Sequence, residues 1–69
     1  MTPTSEPSGP ALSPREVEVM NYLVKGFSYK EIAAAIGISY STVHSHIEHI
    51  YLKLNVQSRA QAVARYLKV

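Results

Sequence analysis

Three histidines and one glutamate lie within residues 44–49 of this chain. Imidazole nitrogens are common zinc ligands, so the spacing His-x-His-x-x-His suggests a metal site. On a helix, however, residues two apart point to nearly opposite sides, and only His46 and His49 could share an ion. The pattern therefore predicts no metal site, and nothing else in the sequence indicates a cofactor.

The same stretch offers a second chemistry, which is hydrogen bonding by short polar side chains. A helix predicted over residues 40–54 places six residues on the face away from its apolar side chains: Tyr40, Ser41, His44, Ser45, Glu48 and Leu52. An α-helix fits the major groove of B-DNA, where each base pair presents a distinct pattern of donors and acceptors. An ordinary solvated face usually carries more Lys and Glu, so this composition favours a DNA-reading face.

The preceding residues have the spacing of a helix-turn-helix. Ala33 lies four residues before Gly37, and Val43 lies six residues after it. Ala33 would let two helix backbones approach closely, and Gly37 can adopt the left-handed conformation that ends a helix. Val43 would then return the chain to the core. Any small helical bundle can share this triad, so the spacing alone leaves that alternative open.

Serine caps and left-handed stops predict where the helices begin and end. Ser13, Ser28 and Ser58 each start a Ser-x-x-Glu/Gln capping box, Pro14 stands at a first helical position, and Ser39 is a cap without an acidic partner. The stops are Gly26, Gly37 and Asn55. The sequence thus predicts an all-α fold with helices at residues 14–25, 29–36, 40–54 and 59–67.

Apolar steps of three and four residues predict the buried face of each helix. The predicted core residues are Val17, Met20, Leu23 and Val24; Ile32, Ala33 and Ile36; Val43, Ile47, Ile50 and Leu54; and Ala60, Val63, Ala64 and Leu67. The fourth helix has a second apolar stripe, formed by Ala62, Tyr66 and Val69 with Arg65 and Lys68 beside it. We predict that this stripe forms a small two-fold contact, with the alternative that Tyr66 covers the edge of the core.

Length and composition limit the remaining function classes. The chain has 69 residues, no cysteine and no aspartate. This length and composition predict one small domain without disulfides, and we do not expect an enzyme.

Residues 1–11 hold three of the four prolines and predict a disordered tail or linker before a domain at residues 12–69. The net charge is +2, a mild bias that is compatible with nucleic acid. No segment is apolar enough to predict a membrane span, and we expect a cytoplasmic protein.

From Leu12 to Val63 the sequence resembles the LuxR-type (GerE-like) helix-turn-helix domain of bacterial transcription regulators, including output domains of response regulators. The matching marks are Leu12-Ser13-Pro14-Arg15-Glu16, Gly26, Lys30-Glu31-Ile32-Ala33, Gly37-Ile38-Ser39, Thr42-Val43, His46, Ile50, Lys53-Leu54 and Ser58-Arg59-Ala60-Gln61-Ala62-Val63. Because so many residues match in the same order, the resemblance is far more specific than the helix-turn-helix spacing alone.

The resemblance implies sequence-specific binding to double-stranded DNA, with residues 40–54 as the recognition helix. By position, it implies base contacts from Thr42, His44, Ser45 and Glu48, and phosphate contacts from Lys30, Ser41, Lys53 and Arg59. It also implies a weak homodimer through helix 59–67, which the stripe above assigns to Ala62, Arg65, Tyr66 and Val69. The full-length protein is expected to have an N-terminal receiver or sensor domain, with a stand-alone regulator as the alternative.

Three positions depart from the family pattern. The family usually has a basic residue where His44 stands, basic or polar residues at the position of Glu48, and often Arg at the position of Leu52. His46 matches a family position that packs toward the core. Because the recognition face is poor in positive charge, a second function stays open: a helical protein-interaction module that uses Tyr51, Leu52 and Tyr66 and has weakened DNA binding.

Overall fold

The computed structural model describes residues 12–68, and these residues form four helices. They are α1 (Pro14–Val24), α2 (Tyr29–Ile36), α3 (Tyr40–Leu54) and α4 (Arg59–Leu67). The predicted all-α fold is therefore confirmed, and only the end of α1 differs, by one residue. The predicted tail at residues 1–11 lies outside the described residues, as does Val69. Within residues 12–68, no helix is both long and apolar enough to cross a membrane.

A serine caps the start of each helix. Both halves of the predicted capping box are present at Ser13 with Glu16 and at Ser28 with Glu31. At α4 only half of the box forms. The Ser58 hydroxyl accepts from the Gln61 amide, but the Gln61 side chain accepts from the amide of Gln57 rather than that of Ser58. The chain enters α4 in an orientation that brings the earlier amide within reach.

The turn between α2 and α3 has the expected left-handed residue. Gly37 has a φ of 73°, and the amides of Gly37 and Ile38 both donate to the carbonyl of Ala33, at 2.9 and 3.1 Å. These bonds satisfy the carbonyl that the ending helix leaves free and fix the direction of the turn. Gly26 and Asn55 also have positive φ after α1 and α3, as predicted.

The core lies where α1 and α3 cross and where α2 and α4 each pack against both of them. Nine apolar residues are buried: Val19, Met20, Leu23, Ile32, Ala33, Val43, Ile47, Ile50 and Ala62. In α1 the prediction missed Val19, while Val17 and Val24 are only half-buried. The predicted faces of α2 and α3 are confirmed by Ile32, Ala33, Val43, Ile47 and Ile50, while Ile36 and Leu54 lie half-buried at the edge.

The predicted core face of α4 was wrong. Ala62, which was assigned to a dimer contact, is fully buried, whereas Ala60, Ala64 and Leu67 face outward and Val63 is half-buried. Two apolar stripes run along this alanine-rich helix at the same spacing, so periodicity could not choose between them. The packing of α4 against α1 decides which stripe is buried. In this packing the Tyr66 hydroxyl donates to the side-chain oxygen of Asn21 on α1, at 3.2 Å.

Candidate nucleic-acid interface

The outward face of α3 is open along its whole length. Eight of its residues are exposed: Tyr40, Ser41, Thr42, His44, Ser45, Glu48, His49 and Leu52. The opposite side of the helix contributes Val43, Ile47 and Ile50 to the core. All four residues expected to contact bases are in the exposed set, so none is covered by the rest of residues 12–68. The apolar side chain of Leu52 on this face is 78% exposed.

A hydroxyl cluster fixes the first turn of α3. The Ser39 side chain accepts from the amide of Thr42 at 3.1 Å and lies 2.8 Å from the Thr42 hydroxyl. The Ser41 hydroxyl lies 3.2 Å from the same Ser39 oxygen. These bonds hold the short polar side chains in place before any partner binds, which limits the entropy that binding would have to remove.

Tyr29, the first residue of α2, supports two residues of this face. Its ring centroid lies 6.0 Å from that of Tyr40 and 6.1 Å from the imidazole of His44, the latter in an edge-on arrangement. Behind it lies Tyr51, whose pKa is raised to about 12 by burial first and by the neighbouring Tyr29 second. Tyr51 therefore remains a neutral phenol across the physiological pH range.

His44 and Glu48 form the charged element of the face. The imidazole Nδ1 lies 3.7 Å from the Glu48 carboxylate, and the side chains are 51% and 64% exposed. This distance suits an ion pair with a protonated imidazole but is longer than a hydrogen bond. Because both groups are well exposed, their attraction is weak and the outer edge of the imidazole remains accessible.

Lys53, an expected phosphate contact, forms a salt bridge within the protein. Its ammonium donates to the Glu16 carboxylate at 2.7 Å, and Glu16 is buried at the start of α1. Burial tends to raise the pKa of Glu16, but hydrogen bonds from Lys53 and from the Ser13 amide outweigh it, so the pKa lies below its ordinary value. The pair joins α1 to the last turn of α3.

Arg59 is also committed to internal contacts. Its guanidinium Nη2 donates to the carbonyl of Leu23 at 3.1 Å and to the carbonyl of Phe27. These carbonyls belong to the end of α1 and the following loop, so Arg59 anchors the start of α4 there. The other two expected phosphate contacts, Lys30 and Ser41, are both exposed.

The residues expected at a dimer contact do not form one surface. Ala62 is buried in the core and is therefore corrected to a core position, whereas Tyr66 is half-buried at the edge of the core. Arg65 is exposed but donates to the carbonyl of Leu54 at 2.8 Å, which ties it to the end of α3. Val69 lies outside the described residues. The exposed apolar face of α4 is formed by Ala60, Ala64 and Leu67.

The sequence profile of the family described as "Bacterial regulatory proteins, luxR family" (GerE) matches residues 10–66. The chain belongs to this family. It is a LuxR-type helix-turn-helix DNA-binding domain, and domains of this kind are not enzymes.

This LuxR-family domain is similar in sequence to two longer proteins. It is 47% identical over 57 residues to the probable HTH-type transcriptional regulator GfsR of Streptomyces halstedii, covering 83% of this chain and 24% of that protein. It is 44% identical over 62 residues to the probable transcriptional regulatory protein NarL of Mycobacterium tuberculosis, covering 90% and 29%. Both relatives are therefore much longer than this chain.

A solved structure has the same fold. The domain superposes with a TM-score of 0.78 and 38% identity on a chain of the crystal structure of the anti-activator RapF complexed with the response regulator ComA DNA-binding domain. The match covers 80% of this chain and 95% of that chain.

Sequence reasoning missed the part that Tyr29 has in this LuxR-family domain. The pattern showed Tyr29 only as the residue after the Ser28 cap. Its contacts with Tyr40 and His44 join two helices, so they depend on the crossing of α2 and α3, which no spacing within one helix encodes.

Proposed function

We propose that α3 enters the major groove of double-stranded DNA and reads base edges with its outward face, as the output domain of a bacterial transcription regulator. The observation that supports this placement most directly is the exposure of that face in a chain of the LuxR family. Its side chains are short and polar near the start of the helix, where the base edges of a groove could be reached. Since the partner is chromosomal DNA, we place the protein in the bacterial cytoplasm.

Base recognition is assigned to His44, Ser45 and Glu48, with Thr42 beside them. Ser45 lies near the middle of the exposed side, opposite the buried residues Val43 and Ile47. Glu48 can accept from a cytosine amino group, and a serine hydroxyl can donate or accept. The Thr42 hydroxyl already bonds Ser39, so its base contact would be shared with the cap.

Phosphate contacts are assigned to Lys30 and Ser41. Lys30 is exposed and follows Tyr29, whose ring contacts the first turn of α3. Ser41 is exposed on that first turn, near the free amides of the helix start, where anions are favoured. Lys53 and Arg59 are assigned to phosphates as well, in addition to their internal contacts, since Lys53 uses one of three ammonium donors on Glu16 and the Arg59 contacts use Nη2 alone.

A weak homodimer would use the outward stripe of α4. Ala60, Ala64 and Leu67 stand at steps of four and three residues, and Leu67 is 59% exposed. A two-fold contact of two such helices would bury small and apolar side chains against each other. A dimer would bind two half-sites, and the second contact would add to the affinity.

We further propose that a receiver or sensor domain belongs to the full-length protein. The chain spans 24% and 29% of the lengths of GfsR and NarL, so most of each relative lies outside the matched region. Such a domain would control the output domain through its placement or its dimerisation.

Selection of bound duplexes from a random DNA pool, followed by anisotropy titrations of the selected site, tests the assignment. Binding should be sequence-specific and weaken steeply as salt rises, because released counterions contribute much of the affinity. Loss of all binding at low salt would contradict the proposal and favour the protein-interaction module.

The Ser45→Ala variant tests the assigned face. It should change the preferred base at one position, with a loss of about 1 kcal/mol for the original site, because one hydrogen bond to a base edge is removed. Ala34 on α2 is exposed and makes a suitable control site, since Ala34→Ser should leave the selected sequence unchanged. An unchanged preference in Ser45→Ala would show that another face of the domain reads the DNA.

A further inference from the structure

The outward face of α3 carries no permanent positive charge. From Tyr40 to Leu52 the sequence contains neither Lys nor Arg, and Glu48 is its one acidic residue. DNA presents a dense array of negative phosphates, so a face with this charge is repelled at the distance of contact. The residues that can offset this negative charge are the histidines.

His44 is the histidine that the structure places in a defined cluster. His44 and His49 are both exposed, while His46 is half-buried. The His44 ring lies edge-on to Tyr29, and its Nδ1 faces the Glu48 carboxylate at 3.7 Å. With Nδ1 toward the carboxylate, the other ring nitrogen, Nε2, lies on the side of the ring away from Glu48.

The groups that contact His44 come from two helices. They are Glu48 on α3 and Tyr29 on α2, and Tyr40 precedes His44 by one turn of α3. The charged residues that follow Tyr29 on α2 are Lys30 and Glu31, which are exposed, and the Glu31 carboxylate accepts from the Ser28 amide. Tyr51 stands behind Tyr29 and is a neutral phenol at physiological pH. The carboxylate of Glu48 is therefore the charge in direct reach of the imidazole.

We propose that the domain takes up a proton on His44 when it binds DNA, so that the His44–Glu48 pair changes from net negative to neutral at the interface. The inference rests on the proposed placement of α3 in the groove. Phosphates near the imidazole favour its charged form. By reciprocity, protonation of His44 strengthens DNA binding by the same factor by which DNA favours protonation.

Protonation also changes what the pair can recognise. A neutral imidazole whose hydrogen lies on Nδ1, toward Glu48, presents only an acceptor at Nε2. The protonated ring presents an N–H donor there, which suits the N7 and O6 acceptors of guanine or a phosphate oxygen. The protonated state thus supplies the positive donor that a lysine would supply permanently.

Anisotropy titrations near pH 6 and pH 8 at constant ionic strength test the proposal. The probe is a fluorescein-labelled duplex of roughly 30 base pairs selected with this domain. The wild-type domain should bind roughly three- to tenfold more tightly near pH 6, because a single linked proton is more readily taken up there. Circular dichroism at both pH values verifies that each variant is folded.

Three variants separate His44 from other causes. His44→Gln should bind near pH 6 as weakly as the wild type does near pH 8, and His44→Lys should bind tightly at both. His49→Gln is the matched control, because it removes another exposed histidine of the same helix that lacks the Tyr29 contact. It should keep the wild-type ratio of the affinities near pH 6 and near pH 8. The proposal would be overturned if His44→Gln still bound more tightly near pH 6 than near pH 8, or if His49→Gln lost this difference.

Calorimetry counts the proton directly. Titration near pH 7 in two buffers of different ionisation enthalpy should show proton uptake by the wild type and less uptake by His44→Gln. Binding with equal affinity at both pH values, without uptake, would overturn the proton linkage and leave the proposed function standing. Absence of binding at either pH would overturn both.

Discussion

Glu48 determines the sign of the charge on the outward face of α3. Its carboxylate is 64% exposed and lies beside His44 rather than beside a lysine or arginine. The interaction with an exposed histidine is weak, so most of the negative potential of the carboxylate is felt by a bound duplex. In the proposed complex, this single residue would lower the affinity while offering an acceptor for a cytosine amino group.

Neutralising this carboxylate should strengthen DNA binding. Glu48→Gln should raise the affinity for an unselected duplex roughly three- to tenfold at low salt, because one repulsive charge is removed from the contact region. Anisotropy titrations measure the change.

Glu18→Gln is the control for this prediction, since Glu18 is an exposed carboxylate on α1 that pairs with Arg15 at 3.0 Å. It makes the same change in net charge at a distance from α3. An equal gain in both variants would mean that overall charge, and not the position of Glu48, limits binding.

Gly37 determines the angle between α2 and α3. Its positive φ allows the amides of Gly37 and Ile38 to close the end of α2 on the Ala33 carbonyl. A Cβ at this position would meet no atom within 4 Å, so the cost of a larger residue comes from the backbone and not from a clash. The position of α3 thus depends on a conformation that L-residues seldom adopt.

Gly37→Ala should lower the free energy of unfolding by about 1–2 kcal/mol, the usual cost of a left-handed L-residue. Urea denaturation followed by circular dichroism measures the loss. Gly37→Asn should lose less, since asparagine tolerates this conformation better. Equal losses in the two variants would mean that the left-handed backbone is not the cause.

Glu16 and Lys53 connect the first helix to the third, and they make the stability of the whole domain depend on pH. The pKa of Glu16 is lowered in the folded state relative to its ordinary value of 4.5. A carboxylate of this kind stabilises the fold fully above the unfolded pKa, and the contribution is lost as the pH falls through the folded pKa. The sensitive range therefore begins near pH 4.5 and extends below it.

Glu16→Gln should lower the free energy of unfolding by about 1 kcal/mol near pH 7 and by much less near pH 3. The glutamine can still accept from the Ser13 amide but cannot pair with Lys53 as a charge. Urea titrations at the two pH values give the difference. Glu18→Gln, which alters an exposed pair, should stay within about 0.5 kcal/mol of the wild type at both. If Glu16→Gln lowered the free energy of unfolding equally at both pH values, the protonation of Glu16 would not be the cause of the pH dependence.

The proposed dimerisation is a property of the whole molecule, and it would depend on the outward stripe of α4. Ala64→Glu should raise the dimer dissociation constant tenfold or more, because two carboxylates would meet across the two-fold axis. Sedimentation equilibrium measures it, with Ala34→Glu on the exposed side of α2 as the matched substitution. A dimer that is unaffected by Ala64→Glu would place the contact elsewhere, and a wild-type monomer at millimolar concentration would contradict the proposal.

Local chemistry was enough to predict the helices. Serine hydroxyls and left-handed stops act within four residues of chain, so Ser13, Ser28 and Gly37 specify helix boundaries without help from the rest of the fold. The exposed side of α3 was predictable for the same reason, since the apolar residues Val43, Ile47 and Ile50 leave only one face for the core.

Tertiary structure alone decided the roles of Lys53, Arg59, Ala62 and Tyr29. Each depends on a partner between 11 and 37 residues away in the chain or on the choice between two equivalent faces of α4. A sequence pattern records which side chains a helix can offer, but not which distant carboxylate, carbonyl or ring will meet them. The sequence by itself therefore determined the elements and the exposed side of α3, whereas helix crossing determined which charged side chains also have partners within the protein, because only packing brings those partners within bonding distance.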